Sequence, residues 1–94
     1  MEKDDRMPYI KKEERPELDK FLDPLIELLE KVPPEEKDGK VCYVIFKLMK
    51  RIYQGRFFNL SRALGVLNSV IQEFYRRIVA PHEDEKIREN GDVE

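Results

Sequence analysis

Apolar residues recur at intervals of three and four over three separate stretches of this chain. In the first, Leu18, Phe21, Leu22, Leu25, Ile26, Leu28, Leu29 and Val32 fall on one face of a helix predicted over 16–32. Pro16 suits its first turn, where a missing N–H costs nothing. Pro24 lies inside the pattern, where proline removes a hydrogen bond and costs ~3 kcal/mol. Either the helix kinks there, or Asp23 caps a second helix that begins at Pro24. Because the stripe keeps its phase across the proline, a kinked or closely abutted pair is favoured. Pro33-Pro34 must end the element, since neither ring continues a helix.

The second stretch follows a charged turn, Glu35 to Gly39, and predicts a helix over 40–53. Val41, Val44, Ile45, Leu48, Met49 and Ile52 form its stripe, and Cys42 and Phe46 widen it. A helix apolar around most of its girth is packed on two sides. The third stretch predicts a helix over 59–80, with Asn59 as N-cap and one stripe through Leu60, Ala63, Leu64, Leu67, Val70, Ile71, Phe74, Tyr75 and Ile78. Pro81 ends or kinks it. His82 to Glu89 then forms a short terminal helix, with Asn90-Gly91 as its C-cap. The expected fold is all-α: a small antiparallel three-helix domain with a kinked first helix and a short C-terminal helix. Residues 1–12 read as a flexible extension, with Met7 as an alternative start, and 13–94 as a single helical domain.

Composition sharpens this picture in three places. Forty per cent hydrophobic residues sustain a folded chain, so disorder is excluded. Forty per cent charged, with three Asn and two Gln, resembles a thermophile composition. Cys42 is the sole cysteine; it forms no internal disulfide and, in an apolar neighbourhood, is expected to be buried and inert. No apolar run approaches the ~20 residues that span a bilayer. The N-terminus lacks the hydrophobic segment of a secretory signal, so no membrane partner and a cytoplasmic location are expected.

Charge is sorted along the chain. From Val41 to Arg77 there are seven basic residues and one acidic one, whereas each flank nets −4. The total of −2 therefore hides a basic centre between two acidic ends, a field able to steer an acidic partner or hold protomers together.

Catalytic signatures are missing. There is no Gly-rich phosphate loop, nucleophile motif or Cys/His pairing, and catalytic, metal and cofactor assignments are all none. Glu27-x-x-Glu30 resembles the first half of the paired motif of all-α nucleotide pyrophosphohydrolases, which hold Mg²⁺ between helices. Its second half is absent, since helix three holds one carboxylate, Glu73. His82-Glu83-Asp84-Glu85 offers metal ligands that point in different directions on a helix and suits a capping cluster better. Lys47, Lys50, Arg51, Arg62 and Arg76, near Tyr53, Phe57 and Phe58, form a basic face with the ingredients of single-strand binding. An ordinary solvated surface carries as many cations. Opposite the helix-three stripe, Gly65 and Ser69, flanked by Arg62 and Arg76, form a helix-packing face. A glycine there costs ~1 kcal/mol relative to alanine and invites a close approach; a solvated face with one tolerated glycine is the alternative.

Both ends of the chain resemble a small uncharacterised family from phages, bacteria and archaea. Its members open M-P-Y-I, here Met7-Pro8-Tyr9-Ile10 followed by Glu13, Glu14 and Arg15. They close E-F-Y-R-R, A-P, E-D, K and N-G-D-V, here Glu73-Phe74-Tyr75-Arg76-Arg77, Ala80-Pro81, Glu83-Asp84, Lys86 and Asn90-Gly91-Asp92-Val93. The family commonly has Tyr where this chain has His82, and G-E-L-N-Y at Gly39-Lys40-Val41-Cys42-Tyr43. The resemblance implies a helical fold and no activity. Physically, Glu73, Arg76, Arg77, Glu83, Asp84 and Lys86 are a charge set straddling a proline bend, expected to form one connected tail network or partner site. Three functions are consistent with these features. The leading one is a non-enzymatic module that self-associates as a dimer or higher homo-oligomer. A phage- or prophage-related nucleic-acid-associated factor using the basic centre over 41–77 comes second, and an enzyme whose site needs two protomers third.

Overall fold

The computed structural model describes residues 9–93, and the chain is all-α, with no strand among them. A 3₁₀ turn, Lys12–Glu14, leads into α1, Arg15–Glu30. Helix α2 spans Pro34–Ile52 and α3 spans Phe57–Phe74; a π turn, Tyr75–Val79, then runs straight into α4, Ala80–Asn90. Three helical stretches result, the last 34 residues long. Of the flexible extension expected over 1–12, residues 1–8 lie outside the described residues, and with them Met7-Pro8 of the opening motif.

Pro16 occupies the first turn of α1, and Pro24 sits inside the helix without dividing it. The alternative of a second helix capped by Asp23 is therefore not realised. Backbone bonds from Lys31 to Leu28 (3.3 Å) and Val32 to Leu29 (3.1 Å) close the helix ahead of the two prolines.

The start of α2 corrects the sequence expectation. The charged segment Glu35 to Gly39 is helical rather than a turn, because Pro34 opens the helix instead of blocking it. Proline's fixed φ and missing N–H suit a first turn, and Glu35 and Glu36 lie in that turn, where the macrodipole favours acids. Lys50 and Arg51 occupy the last turn with the complementary sign. Gly39 is carried in the helix interior, and a Cβ there would meet nothing within 4 Å.

By its backbone contacts the chain divides between Phe46 and Lys47 into two units. The first holds α1 and most of α2; the second holds the end of α2, α3 and α4. Apolar burial is slight throughout: Ala63, 8 % exposed, is the one buried hydrophobic residue among those described. Cys42 is exposed, not buried as its apolar neighbours suggested: an apolar stretch of sequence does not by itself supply cover for its side chains. No helix is long and apolar enough to cross a membrane, and no group of three or more His, Cys, Asp or Glu side chains could hold a metal ion, among the described residues.

Candidate functional site: the ends of the long helix

The turn between α2 and α3 is built by its own side chains. Gly55 takes φ +96°, a left-handed conformation that only glycine adopts without strain. The Gln54 amide Nε2 donates to the Arg51 carbonyl at 3.0 Å, and Asn59 Nδ2 donates to the Gln54 carbonyl at 2.9 Å. Asn59 is thus not the N-cap. Arg56 is, with extended backbone, and its carbonyl accepts from the Asn59 (2.9 Å) and Leu60 (3.2 Å) N–H groups. Lys47, Lys50 and Arg51 share one side of the last turns of α2, as their spacing requires. Across the turn, the Arg62 guanidinium lies over the Phe58 ring, 5.7 Å from its centroid, a cation–π contact.

At the other end the chain does not bend at Pro81. Proline in a helix leaves the carbonyl four residues earlier, that of Arg77, without a partner and presses its ring against it. Here the helix widens one turn before the ring: the Ala80 N–H donates to the Tyr75 carbonyl, five residues back. Pro81 then sits in the first turn of α4, where it is tolerated. Gly91, φ +87°, ends α4 by donating to the Ile87 carbonyl at 2.8 Å, the C-cap expected at Asn90-Gly91.

The π turn decides which tail residues meet. Eight residues of regular α-helix turn through about 800°, which would leave Tyr75 and Glu83 about 80° apart around the axis. Absorbing about one residue in the wider turn brings them to within ~20°, two turns apart. The Tyr75 hydroxyl duly donates to Glu83 Oε1 at 2.7 Å. That bond, then the negative charge of Glu83 and lesser contributions from desolvation and Asp84, raises the Tyr75 pKa above its ordinary value. Sequence reasoning missed Tyr75 as a site residue; an unbroken stripe running into Pro81 was the signal that the helix widens rather than stops.

The six residues expected to form one network fall into separate groups instead. Glu73 Oε2 accepts from Arg76 Nη2 at 2.8 Å and lies 3.5 Å from Arg77 Nη1. Its side chain is only 15 % exposed, so it holds both arginines from a largely covered position. Glu83 pairs with Tyr75, and Lys86 Nζ lies 3.6 Å from Glu89 Oε1. Arg88 pairs with Glu85. Asp84 forms no ion pair among the described residues. All these pairs lie along one continuous helix, because the chain never turns back at Pro81.

The Gly65 and Ser69 face is open: a Cβ on Gly65 would meet nothing within 4 Å. Gly65→Leu should therefore be accommodated within a single chain and weaken association wherever a second copy packs against this face. Light scattering on the variant decides; an unchanged association constant with a raised melting temperature would make the face a solvated one.

No curated protein and no solved structure matches the chain. The continuous match is instead to a family model, the domain of unknown function DUF6899, over residues 7–93. Spanning both the basic turn and the tail, that match places the chain in the DUF6899 family.

Proposed function

We infer that the protein is a self-associating helical interaction module whose apolar core is completed between copies. The exposure of its helical stripes carries this reading. Leu64 is 68 % and Ile71 64 % exposed, and Leu18, Leu22, Leu60 and Phe74 are exposed with them. Monomeric soluble proteins rarely leave contiguous apolar patches larger than a few hundred Å². The spacing of the stripes fits a helical partner. Leu60, Leu64, Leu67, Ile71 and Phe74 alternate steps of four and three, as do Leu18, Leu22, Leu25, Leu29 and Val32. That repeat is the seam through which helices interlock as knobs into holes.

Charge supports a second copy as the occupant. A basic centre and acidic ends on one chain are complementary to those of a neighbour, which favours encounter and fixes orientation. Closed homo-oligomers with a two-fold axis use such self-complementary surfaces. Multi-angle light scattering at about tens of micromolar, a range where mass action populates an oligomer of ordinary affinity, should give at least twice the 11.3 kDa of one chain. A mass of one chain there would remove this reading.

A further inference from the structure

The carboxylates stop where the cations of the α2–α3 turn begin. No Asp or Glu occurs between Asp38 and Glu73. Toward the tail, Arg76, Arg77, Lys86 and Arg88 each lie against a glutamate. Lys50, Arg51, Arg56 and Arg62 form no ion pair among the described residues, and they lie on or beside a turn of four residues, 53–56. Four cations within thirteen residues of sequence, without a carboxylate partner, favour a polyanion over a neutral surface.

Two adjacent phenylalanines distinguish this turn from a merely charged patch. Phe57 continues the apolar seam, three residues before Leu60. Phe58 is rotated about 100° away from it, so seam packing does not account for its exposure. That ring is 67 % exposed, and one flank is already occupied by the Arg62 guanidinium. An exposed ring backed on one face by a guanidinium is a surface on whose other face a nucleobase stacks. The Gln54 and Asn59 hydrogen bonds hold the turn in shape before any ligand arrives, which lowers the ordering cost of binding.

We propose that this turn binds single-stranded nucleic acid, with Lys50, Arg51, Arg56 and Arg62 on phosphates and Phe58 stacked on a base. Single strands are favoured over duplex because only unstacked bases present a free face to Phe58. An anionic membrane is the weaker alternative, since surface helices bind it with a continuous apolar face and Phe58 is separated from the seam.

Fluorescence anisotropy tests this on the full chain, with labelled oligo(dT) and oligo(rU) of about 20 nucleotides and a duplex of equal length. At about 50 mM salt one or both single strands should bind at least ~10-fold tighter than duplex, and log affinity should fall with log salt at a slope near −0.7 per phosphate contact. Arg51→Ala with Arg56→Ala should flatten that slope by about 1.4. Phe58→Ala should weaken single-strand binding about 5-fold or more with the slope unchanged. Which of the two oligonucleotides binds more tightly identifies DNA or RNA as the source. Absent binding of both single strands, equal affinity for duplex with no effect of Phe58→Ala, or binding only to phosphatidylserine vesicles would each overturn the proposal. The mass of Phe58→Ala, a change off the seam that removes no charge, should stay that of the parent, so loss of binding is distinguishable from loss of self-association. Should Glu83, Asp84 and Glu85 replaced together by Gln reduce the mass while no oligonucleotide binds, the cations serve the acidic tail of a second copy and the proposal fails.

Discussion

Replacing Leu64 and Ile71 together with Asp should reduce the protein to single 11.3 kDa chains. Both side chains lie on the exposed α3 stripe, one helical repeat apart in the four–three pattern. On a solvated face such substitutions change stability by no more than about 0.5 kcal/mol. In a seam between copies each removes the burial of a large aliphatic side chain, ~1.5–3 kcal/mol, and places a carboxylate in a desolvated site. The combined loss, several kcal/mol per interface, lowers association by at least about a thousand-fold. Helix content measured by circular dichroism should fall in parallel, because most helical stability in proteins comes from packing of the amphipathic face rather than from propensity. Gln72→Asp, off the stripe, is the control for helicity, which it should leave unchanged. A double variant that keeps the parent's mass would show that this stripe is not the interface.

Pro81→Ala should stabilise the chain and yet detach Tyr75 from Glu83. Without the ring, the Arg77 carbonyl regains a donor and the widened turn can revert to regular α-helix, a gain of about 1–2 kcal/mol out of the ~3 kcal/mol that an interior proline costs. For a domain of this size the melting temperature should rise by about 4–8 °C per kcal/mol. Reversion rotates Glu83 about 80° away from Tyr75, so the phenol should lose its raised pKa. Tyrosinate absorbance reads this directly: the late step that Tyr75 gives the parent protein should be missing from both Pro81→Ala and Tyr75→Phe. The sign of the linkage follows. A phenol whose folded-state pKa is raised contributes stability that is fully present below about pH 10, the ordinary tyrosine value. That contribution is lost as the pH rises through the raised value. If Pro81→Ala titrates like the parent, the proline is not the cause of the π turn.

The all-α fold was legible because the three stripes are long enough to exclude strands, and the α3 stripe in particular holds its phase from Leu60 to Ile78. Boundaries were less so. Pro33-Pro34 reads as a stop from the side of α1, whereas Pro34 followed by Glu35 and Glu36 is equally a start for α2, and periodicity cannot weigh the two. Cys42 was misplaced for a related reason: apolar neighbours along the sequence say which side chains seek cover, not whether the same chain supplies it. The pairing within the tail was legible only in part. Glu73, Arg76 and Arg77 meet through ordinary helical spacing, but pairing Tyr75 with Glu83 requires a change of helical pitch that no pattern of apolar positions records.

The unbroken run from Phe57 to Asn90 has an electrical consequence. At 1.5 Å per residue it is about 50 Å of helix, with Arg56 and Arg62 at one end and Glu83, Asp84, Glu85 and Glu89 at the other. Across a screening length of ~8 Å at physiological salt, the cations at the head cannot be neutralised by carboxylates of the same helix. This helix is itself an electric dipole whose compensation must come from outside it, whether from small ions, a polyanion or a neighbour. Helices charged in this way attract their own kind most strongly when counterions are scarce. The protein's solubility should therefore pass through a minimum at low ionic strength and recover as salt is added, the opposite of what its small net charge alone would suggest.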